Sequence, residues 1–199
     1  MNTTGDVKKV FFGTGVVSAA HPFIQNAEKR VWVVSYVLPS HKFLGRLIKR
    51  AEAGVDVRVV ISANTTSPKV RKTLRAMKAN TKVKTLVTNC EGATLHSKFI
   101  IADDQVMLGS SNWSEKNSHN CAVQLEGPVV RQFVIEFNRL WALPPADDLV
   151  GQGAEDLMKK AFAVQGRSKF LCTVNANRKK RGFLTPREEA AIKRIINKR

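Results

Sequence analysis

Short continuous apolar runs alternate along most of this chain with stretches whose apolar residues recur every three or four positions. Lys8–Phe12 is a short β-prone run, and Val31–Tyr36 (VWVVSY) is the kind of run a strand shows when both its faces are covered. Pro22–Arg30 reads as a helix with His21 near its start. Ser40 is an N-cap for the segment HKFLGRLIKRAEAG, which places Phe43, Leu44, Leu47, Ile48 and Ala51 on one helical face before Gly54 closes it. Val55–Ser62 is a second apolar strand. Ser67-Pro68 opens another helix, with Val70, Leu74 and Met77 apolar among Lys69, Arg71, Lys72, Arg75 and Lys78. Val83–Thr88, Lys98–Ala102, Gln105–Leu108 and Ala122–Leu125 read as strands, and Pro128–Trp141 as an amphipathic helix using Val129, Phe133, Phe137 and Leu140. The succession predicts an α/β fold, a mixed central sheet flanked by helices, over residues 1–145.

The stretch LPPADDLVGQG (143–153) reads as a linker into a basic helical C-terminal extension, residues 146–199. There NANRKKRGF (175–183) reads as a basic loop, making Arg178, Lys179, Lys180 and Arg181 candidate nucleic-acid contacts. LTPREEAAIKRIINKR carries a helix start: Thr185 as cap, Pro186 at the first helical position, Glu188 completing a capping box. Its Ile192, Ile195 and Ile196 form a narrow stripe that either packs on a core or serves a nucleic-acid arm, two roles that are compatible.

Charge sharpens the picture. The 199 residues hold 33 Lys+Arg against 16 Asp+Glu, a formal net charge of +17. Such an excess is costly in self-repulsion and points to a polyanionic partner, nucleic acid or an anionic membrane surface. Residues 151–199 alone carry more than half of it. Cys90, Cys121 and Cys172 are scattered, with no CxxC, which fits a reducing compartment. The N-terminus lacks the pattern of a secretory signal, and no apolar run approaches the roughly 18 residues of a spanning helix. The expectation is a soluble, cytoplasmic protein without stable membrane association.

The chemistry concentrates in TLHSKFIIADDQVMLGSSNWS, residues 94–114. His96 and Lys98 stand two apart, so on an extended strand they point the same way. An unpaired ammonium on a half-buried strand is expensive. A phosphate ligand removes that cost: Lys98 supplies charge, Ser110 and Asn112 supply neutral donors, and backbone N–H groups around Gly109 add more. An imidazole titrating near neutrality can then serve as nucleophile or proton donor. Phosphodiester cleavage needs an in-line nucleophile and an acid for the leaving oxygen, so a second histidine is required across the phosphorus.

HSKFIIAD followed by GSSN resembles the HxKxxxxD…GSxN signature of the phospholipase D superfamily, and the resemblance extends over roughly residues 8–142. It implies a seven- or eight-stranded mixed sheet, two motifs across a pseudo-two-fold axis, a covalent phosphohistidine, and no metal or other cofactor. This chain has one motif. Short single-motif members build the site from a homodimer, which implies that His96 of one copy attacks phosphorus while His96 of the other protonates the leaving oxygen. Lys98 and Asn112 of both copies would hold the non-bridging oxygens, Ser110 would support them, and Asp103 would order the turn.

Two features depart from the pattern. Five residues rather than six separate Asp103 from Gly109. Where related short nucleases often carry a Glu that orients the histidine, this chain has His119; Glu115 and Glu126 are the substitutes, Glu126 preferred because it ends a strand.

Among the remaining residues, His21 and His41 read as surface or cap residues. Cys90, His119 and Cys121 with His96 match no standard zinc spacing. Trp32 and Trp141 read as core or dimer contacts, whereas Trp113, directly after Asn112, is a candidate base-stacking ring. The reading that follows is a metal-independent endonuclease acting on DNA, or on RNA, with little sequence specificity. A phospholipid phosphodiesterase or phosphatidyl transferase, and a non-catalytic nucleic-acid binder retaining the phosphate clamp, are the alternatives.

Overall fold

The computed structural model describes residues 5–65, 68–88, 94–114, 119–143, 145–146, 152–181 and 184–197. Seven strands form one mixed sheet: β1 (Asp6–Phe12), β2 (Arg30–Ser35), β3 (Asp56–Ser62), β4 (Lys84–Thr88), β5 (Phe99–Ala102), β6 (Gln105–Gly109) and β7 (Cys121–Glu126). Their order is β1-β7-β6-β5-β2-β3-β4. β2, β3 and β4 run parallel; β5, β6, β7 and β1 join by antiparallel pairings, with β5 antiparallel to β2. One rim of the sheet therefore gathers the ends of β1, β2, β3, β4 and β6 with the starts of β5 and β7.

The helices cover both faces. α1 (Gly15–Gln25), α2 (His41–Glu52) and α3 (Pro68–Asn80) lie on one, and α4 (Val130–Trp141) on the other. Alternate residues of the central strands divide between two cores, as strand pleating requires. Val31, Val33, Val57, Val59, Ile61 and Ile100 pack with Ile24, Phe43, Leu47 and Met77. Trp32, Val34, Val60, Phe99, Ile101 and Val106 pack with Val130, Phe137 and Leu140. Trp32 stacks on Phe137 at 4.8 Å, and Phe137 on Trp141 at 5.8 Å, so both tryptophans are core residues.

α1 corrects one expectation. Pro22 lies inside this helix rather than opening one, and the helix ends where 26–30 was expected to continue it. Val16, Val17, Ala20 and Ile24 form its buried stripe, and that burial outweighs the backbone bond Pro22 cannot donate. The following turn is fixed instead by Asp103, whose carboxylate accepts from the backbone N–H groups of Glu28, Lys29 and Arg30 at 2.8–3.0 Å.

The chain stays with the sheet through Ala146, which is buried in the first core and donates its N–H to the Val87 carbonyl at 2.7 Å. The rest of the expected linker lies largely outside the described residues. Beyond it come α5 (Gln152–Gln165), α6 (Lys169–Arg181) and α7 (Pro186–Ile196). They bury a core of their own: Met158, Ala161, Leu171, Val174, Leu184 and Ile192. The expected basic loop is thus helical up to Arg181, because Leu171 and Val174 stand one turn apart and bury together. At α7 the Thr185 hydroxyl accepts from Glu188 N–H while the Glu188 carboxylate accepts from Thr185 N–H, a complete capping box.

Candidate active site

The site is assembled where β5 begins and β6 ends, in the middle of the sheet. Phe99 pairs with Leu108, and Gly109 N–H donates to the Lys98 carbonyl at 3.2 Å. The His96-Ser97-Lys98 segment therefore lies directly beside Gly109-Ser110. Only glycine fits at 109: a Cβ there would stand 2.3 Å from the Cys121 carbonyl oxygen and 2.7 Å from the Ala122 Cβ.

Lys98 is 6% exposed. Its Nζ donates to the His96 carbonyl at 2.6 Å, lies 3.2 Å from His96 Nδ1, and sits 5.4 Å from the centre of the Tyr36 ring. Burial holds the Lys98 pKa below the ordinary lysine value. An ammonium can only donate, so toward Lys98 the imidazole presents Nδ1 as acceptor, and the ring proton falls to Nε2. That is the tautomer of a proton donor; attack by Nε2 requires the proton on Nδ1. Tyr36 leans on His96 with ring centres 4.6 Å apart. This tyrosine, the only one in the chain, was not anticipated; its sole signal is its position at the polar end of the buried β2 run. A groove of about 380 Å³ opens over His96, Lys98 and Gly109, bounded across from them by Gln132, Phe133 and Glu136 of α4.

Ser110 is exposed, and its hydroxyl donates to Asn120 Oδ1 at 3.1 Å and accepts from Cys121 N–H at 3.1 Å. Asn120, also unanticipated, thereby holds the hydroxyl in place. Asn112 is half-buried; its Oδ1 is turned inward without a hydrogen-bond partner among the described residues. Ser111 is buried and accepts from Trp113 N–H at 3.1 Å. This small-residue turn is anchored from below by Trp113.

Two expected roles are corrected. Trp113 is 0% exposed, packs against Phe43 with ring centres 6.1 Å apart, and adopts φ +56. A ring closed off from solvent cannot receive a base, so its role is structural. Glu126 pairs with Gln105 at the opposite end of β6 and takes an ion pair from Lys8 at 2.7 Å, so it cannot orient His96. The error was in direction: β7 starts at the site and runs away from it. Asp103 likewise sits at the far end of β5, where it orders backbone. Burial alone would raise its pKa, but three backbone N–H donations and nearby Lys29 bring it below the usual carboxylate value. His119 is exposed, and Glu115 lies outside the described residues. Arg178 and Lys179 stand on α6, Arg178 bonded to Asn175; the side chains of Lys180 and Arg181 lie outside the described set.

An imidazole and a buried ammonium held side by side next to a glycine turn can bind a phosphate and exchange protons with it. Comparison with known proteins agrees with that chemistry. A family model described as "Cardiolipin synthase, PLD-like domain" matches residues 21–141, a span containing the whole site. The chain belongs to the phospholipase D-like family. No curated protein sequence matches it.

Among solved structures, this phospholipase D-like chain is similar to Nuc from Salmonella typhimurium, described as a phospholipase D family member, with TM-score 0.60 and 22% identity over 68% of this chain and 95% of that one. It is similar to NucT from Helicobacter pylori, with TM-score 0.58 and 15% identity over 67% and 94%. It is also similar to a phosphatidylserine synthase from Haemophilus influenzae Rd KW20, with TM-score 0.57 and 12% identity over 92% of this chain but 49% of that one. At these identities the shared property is the fold, a mixed α/β sheet, in a superfamily of phosphodiesterases. Among the described residues, no helix is long and apolar enough to cross a membrane.

Proposed function

We propose that this protein is a metal-independent endonuclease that cleaves nucleic acid, DNA by preference, through a phosphohistidine at a site shared by two copies of the chain. In one copy the His96 ring proton sits on Nδ1, Lys98 keeping its bond to the His96 carbonyl, and the unprotonated Nε2 attacks phosphorus, forming the N–P bond as the bond to the leaving oxygen breaks. The same residue of the second copy gives its Nε2 proton to that oxygen. Water then attacks the phosphohistidine, losing its proton to the second imidazole, and the first imidazole departs. Lys98, Asn112 and Ser110 hold the non-bridging oxygens while charge develops.

The observation that carries the reading is the pairing of a 6%-exposed Lys98 with His96 at 3.2 Å, an arrangement that makes physical sense around a bound phosphodiester. The choice of nucleic acid rests on the +17 charge, more than half of it beyond residue 150, where α6 presents Arg178 and Lys179.

The test is incubation of the purified chain with plasmid DNA, single-stranded DNA, RNA and phosphatidylcholine vesicles, all with EDTA. Nucleic-acid cleavage that survives EDTA, falls steeply with salt and disappears in His96→Ala is expected. A requirement for Mg²⁺ would falsify the phosphohistidine route, and turnover of lipid alone would transfer the site to the second substrate class.

A further inference from the structure

The groove of about 380 Å³ beside His96 has two chemically different sides. On one, the imidazole and the Lys98 ammonium lie 3.2 Å apart. On the other, α4 presents Gln132 and Glu136, which stand one turn apart and so share a face of the helix. Phe99, Leu108 and Phe133 add an apolar lining, and Phe133 is set edge-on to Phe99 with ring centres 5.4 Å apart. The chemistry at phosphorus uses the first side and leaves the second without a role.

The α4 side does not suit a second phosphate. The Glu136 side chain is 40% exposed, and a phosphate brought against its carboxylate meets like charge. Arg139 offsets that charge from outside the lining, through two donations to Glu136 at 2.7 Å each. A carboxylate only accepts, and its two oxygens offer about four lone-pair sites, so donors from a ligand still find room beside Arg139. The Gln132 amide both donates and accepts. An apolar lining with a carboxylate and an amide on one side calls for a flat group that bears N–H donors, and the volume lies within the range of about 300–1,000 Å³ that encloses small organic groups.

A strand whose phosphate lies at His96 and Lys98 carries such a group on the adjoining sugar. Cytosine offers an amino group at N4 and adenine one at N6; Glu accepts from the first, and Gln pairs with the second. Uracil and thymine turn the O4 carbonyl to the same place, where it meets a carboxylate oxygen with no proton between them. A base seated in a groove at the site is out of its stack, with its pairing edge engaged by protein rather than by a complementary strand.

We propose that this groove is a nucleobase pocket, which takes the unpaired base adjoining the phosphate at His96 and Lys98 and, through Glu136, favours bases that carry an exocyclic amino group. The substrate class is then single-stranded nucleic acid, or the unpaired part of a duplex. This rests on the nucleic-acid reading above and on its placing of a phosphate at His96 and Lys98.

The experiment uses the full chain carrying His96→Asn, so that bound strands persist, with labelled oligodeoxycytidylate and oligodeoxyuridylate of equal length followed by fluorescence anisotropy at about 50 mM salt. The two strands differ only where one base carries N4 and the other O4. The cytosine strand is expected to bind about five- to tenfold more tightly. Glu136→Gln should bring the two within about twofold, because an amide donates to O4 as readily as it accepts from N4. Annealing each strand to its complement should abolish the effect of Glu136→Gln. Tight binding without a preference, a preference that persists in Glu136→Gln, or a Glu136 effect that survives annealing overturns the pocket and leaves the nucleic-acid reading standing. Failure of every strand to bind overturns both. Phosphoethanolamine displacing the cytosine strand better than deoxycytidine monophosphate does would give the groove to a lipid headgroup and overturn it as well. Turnover of bis-p-nitrophenyl phosphate by the chain with His96 intact reads the catalytic proposal separately: failure there with the base preference intact sinks the catalysis and leaves the pocket standing.

Discussion

Lys98 grips His96 twice, through the carbonyl oxygen at 2.6 Å and toward Nδ1 at 3.2 Å. A buried ammonium held by so few groups is kept at a cost to stability. Lys98→Met should abolish phosphodiester turnover, by about three orders of magnitude, while leaving the melting temperature unchanged or raised. Calorimetry beside a turnover assay checks both halves; a large drop in melting temperature would make Lys98 a structural residue. Since burial depresses the Lys98 pKa, the charged form is lost as pH rises through a value below about 10.4. The alkaline limb of the wild-type rate should begin correspondingly early.

Asp103 stabilises the fold from the opposite rim. Its folded pKa is depressed, so its contribution is present above the unfolded value of about 3.9 and is lost as pH falls through the folded one. Asp103→Asn suits the positive φ of 48 but loses the charge-assisted bonds, and about 1–3 kcal/mol is expected at pH 7. Urea titrations at pH 7 and pH 3 should show the gap between variant and wild type closing in acid. A constant gap would reject the carboxylate's role.

Trp113 separates packing from stacking. Trp113→Ala should cost about 3–5 kcal/mol, the usual penalty for emptying a large aromatic from a core. Trp113→Phe should bind single-stranded oligonucleotides within twofold of wild type. A tenfold loss in that milder variant would restore the ring to the binding surface.

Shared chemistry has an arithmetic signature. If both copies must supply His96, coexpressing wild type with His96→Asn gives mixed pairs that are inactive, and activity falls as the square of the wild-type fraction. A linear decline would assign the complete reaction to a single copy.

Much of the scaffold was legible because burial on both faces leaves an unmistakable trace. β2, β3 and β5 read as apolar runs, and the motif between them carried its own chemistry. The errors share a cause: they concern direction and contact, which local pattern does not encode. Glu126 was attached to the correct strand and the wrong end of it. Trp113 was judged by its neighbour in sequence, Asn112, although positive φ at 113 turns its ring into the core. Pro22 looked like a helix start because that is its commonest helical position. In α6, Asn175 and Asn177 within a basic run suggested a loop until packing by Leu171 and Val174 is taken into account. Tyr36 and Asn120 touch site residues only through the folded sheet.

The carboxylates on the margin of that sheet remote from His96 are engaged at close range: Glu126 pairs with Lys8, Asp104 with Arg30 and Asp56 with Lys84, while Asp103 is held by backbone N–H groups. Charges that cancel within a few ångströms contribute little field at a distance. What a drifting polyanion senses first is therefore the excess of the whole chain, +17, and its encounters should quicken as salt is lowered.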